Sequence, residues 1–195
     1  MKFIELITFI KNIFNKSVDF HKIQRKLLHS TTNNVKNLFT QPEINSQSRT
    51  GMNIIQYAIT AHSNLPVPLK ELVDEYLRLG GNLEHKNNDG LTALHFAVAH
   101  KKPDVLKYLI EKGANIEAFD NKGITPLFLA VSTYRGEPEL LEIIKILLKY
   151  GANPKKKNKA GVSPSDLASI AGEGIDEGYN PKEWDLRTVL ASAKS

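Results

Sequence analysis

The sequence predicts an all-α solenoid, built from stacked helix-turn-helix units with short hairpin loops between them and helical caps at the ends. Three observations predict it. Glycines at positions 51, 90, 123 and 161 open similar segments, spaced 39, 33 and 38 residues apart. Each complete segment holds two short apolar stretches with helical periodicity. The first three close on Gly80-Gly81-Asn82, Gly113-Ala114-Asn115 and Gly151-Ala152-Asn153. Such a unit cannot bury its apolar face alone, so neighbours must stack.

Composition bounds the rest. The chain has 195 residues, 41% of them hydrophobic, 24% charged, and a net charge of +5. That is enough apolar material for a core. No run approaches the roughly 18–20 apolar residues of a membrane span. The absence of cysteine excludes disulfides, thiolate zinc sites, Cys nucleophiles and Cys-linked lipid anchors, and suits a reducing compartment.

Residues 1–18 are expected to form an amphipathic helix. Phe3, Leu6, Ile7, Ile10, Ile13 and Phe14 share one face, while Lys2, Glu5, Lys11 and Lys16 line the other. Glu5 and Thr8 interrupt the apolar stretch and no A-x-A site follows, so a signal peptide is not expected. A cap over the end of the stack is the preferred reading. The alternative is attachment to a membrane surface through 1–17, or to a partner groove. Residues 1–40 hold seven Lys or Arg and two acids, so the excess charge sits there and the remainder is neutral. Lys2, Lys11, Lys16, Lys22, Arg25 and Lys26 are the candidate contacts to an anionic surface.

Residues 19–50 read as a degenerate first repeat, with helices expected at Asp19 to Ser30 and Asn33 to Phe39. Units then follow at 51–89, 90–122 and 123–160, and a capping unit at 161–195. Thr125-Pro126 and Ser163-Pro164 are helix starts, a hydroxyl cap followed by proline at the first helical position. Leu127 and Ala130 face the stack, as do Ile143, Ile144, Leu147 and Leu148 of a second helix at Glu139 to Lys149. Gly151 supplies the left-handed conformation that closes that helix. Two units exceed 33 residues by six and five, through insertions at Ser63 to Pro68 and around Tyr134 to Pro138, both between paired helices. The capping unit is interrupted by an acidic loop at 172–181. It ends in a helix expected at Lys182 to Ala193, with Leu186, Val189 and Leu190 sealing the stack.

The segments Gly90-Leu91-Thr92-Ala93-Leu94-His95-Phe96-Ala97 and Gly123-Ile124-Thr125-Pro126-Leu127-Phe128-Leu129-Ala130, with the Gly-Ala-Asn closures, carry a resemblance. They resemble the ankyrin repeat, G-x-T-P-L-H-x-A-A followed by I-V-x-x-L-L-x-x-G-A-D. The resemblance covers 51–170 firmly and the flanks loosely. It implies an ankyrin-repeat solenoid and a structural role for His95, tying the hairpin to the helix. The equivalent positions hold Gln56, Phe128 and Asp166. It also implies a protein partner in a concave groove made by hairpin tips and first-helix positions. By register these include Arg49, Met52, Asn88, Asp89, Leu91, His100, Asn121, Lys122, Ile124, Thr133, Tyr134 and Arg135. Met52, Leu91, Ile124 and Tyr134 are apolar or aromatic beside Arg135, a composition suited to a binding hot spot.

Nothing in the sequence points to catalysis. It has no nucleotide loop, H-E-x-x-H, G-x-S-x-G or C-x-x-C. His95 and His100 differ by five positions, which separates them around a helix and denies them a shared metal. No enzyme activity, cofactor or metal is expected, and the chain is expected to be a monomer. The run Lys155-Lys156-Lys157-Asn158-Lys159 suits phosphates or an acidic protein, and reads more plainly as a solvated hairpin tip. Nucleic acid is not an expected partner, given 21 Lys to 5 Arg and no aromatic–basic interleaving.

The Lys, Ile and Asn bias looks like that of the short ankyrin effectors that intracellular, Legionella-like bacteria inject into host cells. Glu183 and Asp185, upstream of Leu190-Ala191-Ser192-Ala193-Lys194-Ser195, resemble a type IV secretion tail. The resemblance implies an adaptor with a cytosolic fold, delivered from the bacterium into the host cytosol. The alternatives are a membrane-attached scaffold and an endogenous adaptor that is not secreted.

Overall fold

The computed structural model describes residues 18–29, 35, 39–44, 46–61, 68–171 and 189–190. Among them the regular structure is entirely helical. The amphipathic helix expected at 1–18 except Val18, the insertion expected at 63–68 except Pro68, the acidic loop, and the helix expected at 182–193 except Val189 and Leu190 lie outside the described residues. The chain divides into two compact units, Met1–Ala93 and Leu94–Ser195.

The first unit holds α1 (Val18–His29), α2 (Gln41–Ile44), α3 (Ile54–Ala61) and α4 (Leu69–Arg78). Of the helix expected at Asn33 to Phe39, only Val35 and Phe39 are among the described residues. Val35 and Phe39 are buried, yet neither is helical. α2 starts after Thr40. The Thr40 backbone N and Oγ1 both donate to Glu43 Oε2, at 2.8 and 3.0 Å. This half of a capping box, Thr-x-x-Glu with proline in the first turn, begins α2.

α3 begins with a reciprocal version of the same device. Gln56 N donates to Asn53 Oδ1 (2.9 Å), and Asn53 N donates to Gln56 Oε1 (3.0 Å). From Ile54 to Ile59 every residue is buried. α4 shows one apolar stripe, with Leu69, Leu72, Val73 and Tyr76 buried.

The second unit carries α5 (Ala93–Ala99, which starts on the last residue of the first unit), α6 (Pro103–Glu111), α7 (Pro126–Thr133), α8 (Pro138–Lys149) and α9 (Pro164–Ala171). Within it α7 packs on α8 and α9, and α6 packs on α8. The first helices of pairs are capped by side chains. Thr125 Oγ1 accepts from Phe128 N at 3.2 Å, and Ser163 Oγ accepts from Asp166 N at 3.2 Å while donating to Asp166 Oδ2 at 2.7 Å. The second helices start differently. α6 and α8 also take proline at the first position, but they follow Lys102 and Glu137, and neither side chain makes a cap hydrogen bond. Leu127, Ala130, Ile143, Ile144 and Leu147 are buried as their spacing predicts, and Leu148 is half-buried.

The second helices close alike. Gly113 N donates to Ile110 O and Ala114 N to Leu109 O; Gly151 N donates to Leu148 O and Ala152 N to Leu147 O. This paired closure needs a left-handed residue, and Gly113 (φ 90°) and Gly151 (φ 93°) supply it. α5 closes the same way with a lysine. Lys101 has φ 51° and is the one non-glycine with positive φ among the described residues.

Candidate functional site

Each glycine of the repeat ends a hairpin tip closed by one side chain. In the first unit Asn87 Oδ1 accepts from Asp89 N (3.0 Å) and Leu91 N (2.8 Å). In the second, Asp120 Oδ1 accepts from Lys122 N and Ile124 N (both 2.8 Å), and Asn158 Oδ1 from Ala160 N (2.9 Å) and Val162 N (3.0 Å). Ser48 Oγ takes the same place for Met52 N at 3.0 Å. A short Asx or Ser side chain thus replaces water on the turn's amides.

Beneath the tips lies a second repeated tie. His95 is fully buried, and its Nε2 stands 2.9 Å from Ile124 O, holding α5 to the hairpin of its own unit. Gln56, fully buried at the equivalent register, donates through Nε2 to His85 O (2.9 Å) and Leu91 O (2.8 Å). His85 Nε2 lies 2.6 Å from Gly51 O. Phe128 cannot make such a bond and is simply buried, while Asp166 turns back to cap its own helix. Hydrogen bonds from the Ser163 hydroxyl and backbone N–H hold the Asp166 carboxyl below its ordinary range.

The tip residues themselves are accessible. In the first unit Arg49, Asn88 and Asp89 are exposed, and Met52 and Leu91 are half-buried. Adjacent tips are joined there by Asn88 N to Thr50 O (3.0 Å) and Asn88 Nδ2 to Arg49 O (3.1 Å). In the second unit Asn121, Lys122, Thr133 and Arg135 are exposed, and His100 and Ile124 are half-buried. His100 stacks on Phe96 with ring centroids 6.4 Å apart. Burial, and then the nearby Lys102 charge, lower its pKa.

One expected contact residue is corrected. Tyr134 is 7% exposed and offers no ring to a partner. α7 stops at Thr133, and Tyr134 takes an extended conformation (φ −63°, ψ 130°), which puts the side chain inside. The insertion around it is held locally. Arg135 Nη1 donates to Ser132 O (3.2 Å) and Tyr134 O (2.6 Å), and Arg135 N donates to Glu137 Oε2 (2.7 Å). Lys101 Nζ meets Glu137 Oε1 at 2.9 Å. That hydrogen bond and the one from Arg135 hold the Glu137 pKa at about 2.

Of the anionic-surface candidates, Lys2, Lys11 and Lys16 lie outside the described residues, and Lys22 and Arg25 are exposed. Lys26 is half-buried and donates to Glu43 at 2.7 and 2.8 Å, and Lys22 Nζ lies 3.7 Å from the same carboxylate. Burial would raise the Glu43 pKa, but the hydrogen bonds from Lys26 and Thr40 outweigh it and bring the value to about 2. Lys156, in the basic run, is likewise paired, with Glu117 Oε2 at 2.9 Å.

One exposed group escaped sequence reasoning. Phe119 is 50% exposed, next to the turn-closing Asp120. The residues before Ser48, Asn87 and Asn158 are Gln47, Lys86 and Lys157, all exposed, so comparing this column along the repeat would have singled it out. Among the described residues no group of three or more His, Asp or Glu is placed to hold a metal, and no helix is long and apolar enough to cross a membrane.

A family model and a solved structure agree on the architecture. A family model described as ankyrin repeats (3 copies) matches residues 25–120 and 68–158. The chain is 35% identical over 136 residues to an intracellular phospholipase A2 of Caenorhabditis elegans, a match that takes in 68% of this chain and 12% of that protein. A solved ankyrin repeat domain from Acinetobacter baumannii AYE superposes with a TM-score of 0.62 at 26% identity, covering 77% of this chain and 68% of the other.

Proposed function

The chain belongs to the ankyrin-repeat family, and from that premise we propose that it is a non-catalytic adaptor that docks a protein partner on its hairpin tips and first-helix positions. Ankyrin repeats generally serve as protein-interaction modules, and the whole phospholipase's activity is not carried over from a match to 12% of its length. One observation carries the reading. Met52, Leu91 and Ile124 stand half-buried at tips whose amides are already satisfied by Ser48, Asn87 and Asp120. Their apolar surface is therefore available to a partner, with exposed Arg49 and Asp89 in one unit and Lys122 and Arg135 in the other. A preformed scaffold of this kind also limits the ordering cost of binding.

The finer reading is an effector delivered by a bacterium into host cytosol. Its support is the Lys-, Ile- and Asn-rich composition and a structural neighbour of bacterial origin. The test is affinity capture from host lysate by the full chain and by Leu91→Ala, Ile124→Ala and Arg135→Ala. The expected result is a discrete partner retained by the parent chain and weakened by at least two of the substitutions. Unchanged capture by all three would reject the tip assignment. Fusion to a translocation reporter tests delivery separately, and a signal confined to the bacterium rejects it.

A further inference from the structure

In the second unit two hairpins, 115–124 and 153–162, run side by side. Asn153 N donates to Glu117 Oε1 (2.7 Å), Lys156 Nζ to Glu117 O (3.1 Å), Lys159 Nζ to Asn121 O (2.7 Å) and Lys159 N to Lys122 O (3.1 Å). On this edge stands Phe119, which with Tyr150 makes up the exposed large hydrophobic side chains among the described residues. The repeat supplies its own control. Gln47, Lys86 and Lys157 occupy the same register and all face solvent. The fold therefore asks only for a residue that tolerates water, and a phenylalanine there forgoes the gain of burial. Lys156 Nζ lies 5.8 Å from its ring centroid, a cation–π contact.

The surroundings are basic. The two hairpins hold Lys122, Lys155, Lys156, Lys157 and Lys159 against Glu117 and Asp120. Both acids are occupied internally, Glu117 by Lys156 and the Asn153 amide, and Asp120 by the amides of its own turn. Lys122, Lys155, Lys157 and Lys159 are exposed. A half-exposed aromatic ring in a cationic surround complements a ligand that is both apolar and acidic.

We propose that this edge docks an acidic protein segment carrying an apolar side chain. The apolar group seats on Phe119, and the flanking carboxylates meet Lys122, Lys155, Lys157 and Lys159. The proposal rests on the reading of the chain as a protein-interaction module and names the chemistry of the partner. A protein fits better than a nucleic acid, because a nucleic-acid edge draws on arginines and successive stacking rings, and this one has a single ring and lysines only.

The test is fluorescence anisotropy on the full chain with three labelled probes of matched charge: a peptide of glutamates and leucines, the same peptide with serine for leucine, and an oligothymidylate. The Glu–Leu peptide is expected to bind tightest. Phe119→Lys, which installs the residue found at 86 and 157, is expected to weaken it about tenfold despite adding a positive charge. Its melting curve is expected to match that of the parent chain. A merely electrostatic surface would bind the peptide more tightly after this change, and that result overturns the proposal. So does equal affinity for the Ser peptide, or preference for the oligothymidylate. Lys122→Gln with Lys155→Gln is expected to weaken the Glu–Leu peptide several-fold and to flatten its salt dependence; unaltered affinity and salt dependence count against the edge. Ile124→Ala and Arg135→Ala separate the two readings. If they weaken the peptide and Phe119→Lys does not, the edge is wrong and the tip reading stands. If neither set has any effect, both fall.

Discussion

The Tyr76 hydroxyl lies 2.9 Å from Asn53 Nδ2 and bridges both backbone groups of Asn82, accepting from its N and donating to its O at 3.0 Å each. One buried phenol therefore joins the start of α3 to the turn that follows α4. Burial raises its pKa, so it remains a neutral donor and acceptor across the working range. Tyr76→Phe keeps the ring and leaves the Asn53 and Asn82 groups without that partner. The expected cost is about 1–3 kcal/mol, measured by urea unfolding.

His95 and Gln56 predict a graded substitution series. Both donate from a buried side chain to the carbonyl of the residue that follows a repeat glycine, Leu91 for Gln56 and Ile124 for His95. His95→Gln should therefore be milder than His95→Ala, which loses the donor and opens a cavity. The difference is expected to be about 1 kcal/mol or more by thermal or chemical unfolding. Equal costs for the two variants would show that a glutamine donor does not replace the bond to Ile124 O.

Acid sensitivity should trace to Glu43. Its folded pKa is about 2 against an ordinary value of 4.5. The unfolded state therefore takes up the proton first. The stabilisation is complete above about pH 4.5 and is lost as pH falls toward 2, and it amounts to up to about 3 kcal/mol. Glu43→Gln is expected to lower stability at neutral pH and to shallow the acid limb of a stability–pH curve. Some slope remains from Glu137, which is also held at about 2.

Two glycines should respond differently to substitution. Gly113 has φ 90° with nothing within 4 Å of an added Cβ, so the constraint is conformational. Gly81 has ordinary φ, but a Cβ there would lie 2.4 Å from the Tyr76 ring. Gly113→Asn is expected to cost about 1 kcal/mol, since Asn tolerates the left-handed region. Gly81→Ala should cost more, because the ring it displaces carries the Asn53–Asn82 bridge. Differential scanning calorimetry of the two variants orders the effects.

The repeat was legible where the glycine frame and the capping residues agree. Thr125-Pro126 and Ser163-Pro164 start helices, and His95 lies buried on Ile124 O. It was illegible where one local signal competed with another. Val35 and Phe39, expected on one helix, are both buried and neither is helical, and the start signal of α2 is the Thr40–Glu43 pair that follows directly. Register alone put Tyr134 among the contact residues. Its burial depends on where α7 ends, which counting along a repeat does not reveal. Phe119 required comparing one column across repeats instead of reading along one repeat. The ionic commitment of Lys26 depends on Glu43, seventeen positions away, and no periodicity encodes it.

The single-residue closure of each hairpin has a consequence for sequence change. Asn87, Asp120 and Asn158 each bind both amides that the turn must satisfy. The outward residues at 89, 122 and 160 contribute only a backbone N–H to that closure, which nearly every amino acid provides. Selection on partner choice can thus act on these positions without disturbing the turn. The same property makes them the places to randomise in a display library, with the three closing residues held constant.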